Sequence, residues 1–152
     1  MTLIVNLFGA PGAGKSTTAA GLFHLLKVNG VNCEYVTEFA KDLTWEKRHL
    51  TLKSQPYIFG KQLRNIERLL GQVEVIVTDS LLLLSVFYGR KYANYPESFY
   101  QGIIDIVSEL NSINYLLTRV KKYNPMGRNQ TEQESDEIAK ELFQLLEKLE
   151  VP

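Results

Sequence analysis

Gly9-Ala10-Pro11-Gly12-Ala13-Gly14-Lys15-Ser16 packs three glycines, an ammonium and a hydroxyl into eight residues. The order satisfies G-x-x-x-x-G-K-[ST], between the apolar run Leu3-Ile4-Val5-Asn6-Leu7-Phe8 and Thr17-Thr18-Ala19-Ala20. That is the strand-then-helix setting the pattern requires. Glycines there let backbone N–H groups turn inward around a β-phosphate, and a helix starting at Lys15 aims its positive end at the same anion. Lys15 then reaches the β- and γ-phosphates, and the Ser16 hydroxyl is a ligand for Mg²⁺. The bland alternative is a glycine-rich turn with no ligand. The complete pattern in its full context points instead to a grip on a nucleoside triphosphate by residues 9–17, Thr17 included.

Two carboxylates stand at the ends of apolar runs. Asp79 closes Val73-Glu74-Val75-Ile76-Val77-Thr78-Asp79, where an acid beside a phosphate loop holds Mg²⁺, usually through water. A helix-capping role is the simpler alternative, since Ser80 and an apolar stretch follow. Glu38 closes Tyr35-Val36-Thr37-Glu38. Ligands of open parallel sheets bind at the carboxyl ends of the strands, so both acids should overlook the nucleotide. Glu38 could accept a hydroxyl proton from a phosphoryl acceptor or bind its hydroxyl. The alternative is a surface acid paired with Lys41.

Residues 119–128 hold four cations (Arg119, Lys121, Lys122 and Arg128) and no acid. In a chain of balanced charge this clustering points to a lid over residues 119–130 that faces phosphate, against a solvated basic loop. Arg119 and Arg128 are the better candidates, because a guanidinium fork binds phosphate bidentately. Gln62, with a donor and an acceptor, suits a nucleobase edge, and Arg64 lies beside it on the same helix. Trp45, Tyr57, Tyr88, Tyr92 and Tyr95 could build a stacking wall, although ordinary packing explains any one of them. His24 and His49 lack metal-ligand spacing and read as structural. No Ser-His-Asp, Cys-His or zinc-spaced set is present in the sequence.

These groups need a scaffold, and the pattern supplies one. Apolar runs near 3–8, 32–37, 73–78 and 114–118 alternate with helical periodicity, the mark of an α/β fold. The first helix should cover about 15–28, burying Ala19, Leu22, Phe23 and Leu26, with Asn29-Gly30 as its stop. Others are expected near 54–70 and from Pro96-Glu97 onward, with Phe99, Ile103, Ile106, Val107 and Leu110 as one stripe. Thr131-Glu132-Gln133-Glu134 is a capping box for a last helix, with Ile138, Leu142, Leu145, Leu146 and Leu149 facing inward.

The 152 residues, 45% of them hydrophobic, suit one domain, 1–152. Seventeen basic and seventeen acidic residues cancel, so the total charge suggests neither a nucleic-acid nor a membrane partner. The lone Cys33 excludes a disulfide framework and reads as a small buried side chain. No targeting segment is evident and Leu81–Leu84 is too short to cross a bilayer, so a cytoplasmic protein is expected.

Together the phosphate loop, Thr37-Glu38-Phe39-Ala40-Lys41-Asp42, Gly60-Lys61-Gln62 and Thr78-Asp79-Ser80 resemble the P-loop nucleoside and nucleotide kinase superfamily. Within it they are similar to small phage-encoded kinase-like ATPases, which resemble ribosylnicotinamide-kinase domains. The resemblance implies a three-layer α/β/α fold with a small parallel sheet in 2-3-1-4 order, ATP·Mg²⁺ as donor and arginines on a lid. It makes Glu38 the strand-end base or hydroxyl ligand and Gln62 the base-reading glutamine. Two departures stand out: Asp79 is followed directly by Ser80 where those kinases carry an arginine, and the family's final strand is not evident. The expected function is transfer of the γ-phosphate of ATP to a small nucleoside- or nucleotide-like acceptor. Alternatives are a kinase of 5-hydroxymethyluracil in phage DNA and a P-loop ATPase or regulatory protein without such an acceptor.

Overall fold

The computed structural model describes residues 1–148. Four strands form one parallel sheet: β1 (Leu3–Phe8), β2 (Cys33–Val36), β3 (Val75–Thr78) and β4 (Ser112–Leu116), in the order β2-β3-β1-β4. That is the 2-3-1-4 arrangement expected. Register sets Val5 beside Val77 and Ile113, and Val36 beside Thr78, so the strand ends lie along one edge of the sheet. All pairs are parallel, which requires a crossover between neighbours, and helices supply it.

Helix α1 (Lys15–Val28) covers one face through Ala19, Leu22 and Leu26, packed on Val5, Leu7 and Val77. It starts and stops where Lys15 and Asn29-Gly30 predict. The opposite face carries α4 (Gln55–Glu67), α5 (Leu84–Tyr92), α6 (Glu97–Ser108) and α7 (Glu132–Lys148). Their buried Ile66, Val86, Ile103, Ile138 and Leu142 close over Ile4, Phe8 and Ile76 as the larger core. Cys33 is fully buried, as its composition suggests.

Several expectations need correction. The fourth strand begins two residues earlier than the apolar run indicates. Ile106 is exposed and drops out of the α6 stripe. Two short helices, α2 (Phe39–Trp45) and α3 (His49–Leu52), and the longer α5 carry no periodicity that distinguishes them. Segments of seven or four residues hold too few turns for a stripe. The apolar 81–87 run is buried all round, so strand and helix readings compete there. The capping box holds: Glu134 Oε2 accepts from the Thr131 N–H at 2.6 Å, and Thr131 Oγ1 accepts from the Glu134 N–H at 3.3 Å. Leu149 lies outside the described residues. Among the described residues, no helix is long and apolar enough to cross a membrane.

Candidate nucleotide and acceptor site

Three strand ends meet at one cleft. β1 runs into the phosphate loop, β3 ends one residue before Asp79, and β2 ends two residues before Glu38, which caps the start of α2. The cleft encloses about 780 Å³ and is lined by Pro11, Gly12, Gly14, Lys15, Ser16 and Thr17 on the donor side. Glu38, Lys41, Gln55, Gln62, Ser85 and Tyr88 line its inner reach. A volume of that size suits a drug-sized ligand or larger.

Lys15 Nζ donates to the carbonyls of Gly9 at 2.9 Å and Ala10 at 3.3 Å. Burial lowers its pKa from the ordinary lysine value, although Glu38 and Asp79 act to raise it. Ser16 Oγ donates to Asp79 Oδ2 at 2.7 Å, joining the start of α1 to the end of β3. Asp79 is 2% exposed, and its other oxygen, Oδ1, is buried with no hydrogen-bond partner in the structure. A buried carboxylate oxygen left unsatisfied is costly unless something binds it. A hydroxyl and a carboxylate, both hard oxygen donors, fit Mg²⁺ held by few protein ligands and several waters. The Tyr35 hydroxyl sits beside this pair, its pKa pushed up by burial and by Asp79. Tyr35 is not among the residues that spacing singles out; only its place one residue before the end of β2 flags it.

Glu38 faces the same ammonium. Burial raises its carboxyl above the usual range, Asp79 adds to that, and Lys15 and Lys41 oppose it. No ion pair closes between Glu38 and Lys41, whose ammonium instead lies 3.4 Å from Ser16 Oγ. Glu38 also helps to push up the pKa of Tyr88, chiefly raised by burial.

Gln62 reaches the cleft, but the structure gives its amide another task. Its Oε1 accepts from the Phe39 N–H at 2.9 Å and its Nε2 donates to the Thr37 carbonyl at 3.3 Å. Those groups flank Glu38, so Gln62 holds the backbone on which that carboxylate is mounted. Arg64 is exposed, two positions on along α4, and lies outside the cleft lining.

The basic segment divides its two arginines. Arg119 is taken up by α7, donating to Glu132 at 2.6 Å and Asp136 at 2.5 Å, and is not among the lining residues. Sequence spacing had offered it to phosphate; the acidic first turns of α7 claim it. Arg128 does line the cleft, close enough to Lys15 to lower its pKa. It donates to the carbonyls of Asn124 and Met126 and lies over the Tyr123 ring, as Arg119 also does. Tyr123 in turn covers the phosphate loop. A Cβ on Gly12, whose φ is +85°, would stand 3.0 Å from its ring.

Two hydrogen bonds fasten the chain beyond Arg128. Ser135 Oγ donates to the Pro11 carbonyl at 2.6 Å, and Asn129 Nδ2 donates to Thr44 Oγ1 at 3.0 Å. Of the five aromatics offered as a stacking wall, Tyr88 and Tyr92 line the cleft with nearly parallel rings 6.2 Å apart. Trp45 packs on Gly127, Tyr57 on Phe39, and Tyr95 on Phe99. His49 lines the rim, whereas His24 is exposed on α1. No group of three His, Cys, Asp or Glu residues that could hold a metal occurs among the described residues.

The profile of the AAA-domain family matches residues 4–151. The chain belongs to that family. This AAA-domain chain is also similar in fold to a deoxyadenosine kinase from M. mycoides, solved with bound dATP. The two share 19% identity over 95% of this chain and 84% of the kinase, with a TM-score of 0.58. A second solved structure, described as APE1195, aligns over 98% of this chain and 73% of its own at 22% identity and a TM-score of 0.44. No curated protein matches the sequence. The AAA-domain chain thus has the P-loop NTPase fold that nucleoside kinases share.

Proposed function

We propose that this protein is an ATP-dependent phosphotransferase whose acceptor is a hydroxyl of a small nucleoside-like molecule. The observation that carries the reading is Glu38, a half-buried carboxylate that lines the phosphate-loop cleft near Lys15, its pKa raised chiefly by loss of water contact. A hydrolase would use the same acid to activate water, so transfer to an acceptor is what separates the two readings.

The acceptor O–H sits between Glu38 and the γ-phosphorus. As the acceptor oxygen bonds to phosphorus, its proton passes to the Glu38 carboxylate. The bond from phosphorus to the β–γ bridging oxygen breaks, and ADP leaves with that oxygen's electron pair. Phosphoryl transfer spreads negative charge over equatorial oxygens, and fixed cations aimed there lower the barrier. Lys15, Lys41 and Arg128 line the cleft, and Lys15 and Arg128 would do that work. Ser16 and Asp79 would hold Mg²⁺, which when bound draws charge from the β- and γ-oxygens. The buried Asp79 Oδ1 supports that assignment.

Three features support a hydroxyl acceptor of nucleoside type: an acid at the end of β2, apolar and aromatic walls, and the kinase-like fold. The resemblance to kinase-like phage ATPases of ribosylnicotinamide type adds nicotinamide riboside to the candidates, and a cytoplasmic setting is part of the same proposal. The test is transfer of radiolabelled γ-phosphate from ATP across nucleosides, mononucleotides, nicotinamide riboside and hydroxymethyluracil-containing DNA. Phosphorylation of a nucleoside-type hydroxyl is the expected result. ATP hydrolysis that no acceptor accelerates would overturn the reading.

A further inference from the structure

Helix α4 turns one face to the cleft at Gln55, Ile58 and Gln62, spaced three and then four residues apart. Two of these three are amides, and they are in opposite states. Gln62 is 3% exposed with its oxygen and nitrogen both engaged by backbone. Gln55 is 8% exposed, and its side chain has no hydrogen-bond partner among the described residues.

A buried amide without partners costs stability unless water or a ligand completes it. Among the described residues, the one side-chain polar atom both sealed from solvent and unpartnered is Asp79 Oδ1. The Gln55 amide therefore keeps its free surface toward the cleft it lines. Ser85 of α5 stands in the same condition, 6% exposed, lining the cleft, with its hydroxyl unpartnered. Ile58, Leu82 and Tyr88 line the same cleft and offer apolar surface suited to the faces of a flat ring.

We infer that Gln55, and not Gln62, reads the acceptor, and that the acceptor carries a planar heterocycle with a donor and an acceptor on adjacent edge atoms. An amide offers that pair in complementary order and binds such an edge bidentately. The distance suits the task. Seven residues of helix put Gln55 about 10 Å along the axis from Gln62, and so from the backbone carrying Glu38. That is the scale of a nucleoside from its primary hydroxyl to the far edge of its base. Glu38 would take the hydroxyl end and Gln55 the base end.

This inference rests on the kinase reading, and a binding measurement separates the two. The four 2′-deoxynucleosides are titrated calorimetrically into wild-type protein with a non-hydrolysable ATP analogue and Mg²⁺. The tightest is then titrated into Gln55→Leu, Gln55→Glu and Gln62→Leu, each checked for folding by circular dichroism. Both Gln55 variants are expected to weaken binding by about tenfold or more, the scale of one hydrogen-bonded edge left unmatched. Gln62→Leu is expected to bind the same nucleoside within a few-fold of wild type while transferring phosphate more slowly. Gln55 variants that bind as wild type, or a loss confined to Gln62→Leu, would overturn the assignment. Binding that depends on Gln55 without phosphate transfer would uphold this inference and remove the kinase reading. Should no nucleoside bind the wild type, both fall.

Discussion

The indole of Trp45 occupies the space that a side chain on Gly127 would need: a Cβ there would stand 2.5 Å from Cζ2. Gly127 also has φ +70°, a conformation in which other residues are strained. The end of α2 is therefore fitted to the basic segment, and the Asn129–Thr44 hydrogen bond lies beside the contact. Glu38 caps the start of that same helix. Gly127→Ala is expected to lift the segment, lower transfer to the acceptor, and increase the share of ATP lost to water. The sole tryptophan makes the event visible, since the emission of Trp45 should shift in the variant. An unshifted spectrum and normal transfer would show that the contact does not matter.

Loss of the Lys15 ammonium should be severe. Lys15→Ala is expected to reduce turnover by roughly 10²-fold or more, the scale of removing one preorganised electrostatic contact. Asp79→Asn should act differently. It retains the Ser16 contact but removes the charge, so the Mg²⁺ concentration needed for half-maximal activity should rise. An unchanged Mg²⁺ titration would detach Asp79 from the metal.

The raised carboxyl of Glu38 predicts a pH effect of defined sign. A group whose pKa is higher folded than unfolded binds more protons in the native state, so stability falls as pH rises between the two values. The window opens at about pH 4.3, the ordinary glutamate value, and extends upward to the raised one. Glu38→Gln removes a half-buried charge and should raise the melting temperature at neutral pH. It should also abolish most transfer while sparing ATP binding. The acidic limb of the wild-type rate profile should lie above the usual carboxylate range. A variant no more stable at pH 7 than the wild type would contradict the desolvation argument.

The two arginines should separate. Arg128→Met is expected to slow transfer with little change in melting temperature, because Arg128 lines the cleft and its bonds run to exposed carbonyls. Arg119→Met should leave the chemical step near wild type and loosen the attachment of residues 119–128 to α7. Equal rate losses in both would restore Arg119 to the reacting phosphate.

What was legible in the sequence follows physical range. The phosphate loop, α1 and the strand-end acids are local patterns, in which a few adjacent residue types dictate backbone and chemistry together. Sheet order came with the resemblance, and register confirms it. Arg119 was misassigned because its partners, Glu132 and Asp136, lie 13 and 17 residues away and looked like a solvated acidic face. Gln62 is expected to read a base, but its amide is engaged by the backbone of Thr37 and Phe39 on another element, bonds that composition cannot show. Gln55 was overlooked beside Pro56, although its spacing to Gln62 puts both on one helical face.

Folding already draws the Lys15 ammonium partly out of water before a ligand arrives. The carbonyls of Gly9 and Ala10 hold it in the interval. An incoming polyphosphate thus exchanges one set of oxygens for another and need not strip a fully hydrated cation. Its affinity for this loop should consequently vary less with ionic strength than attraction to exposed lysines would require.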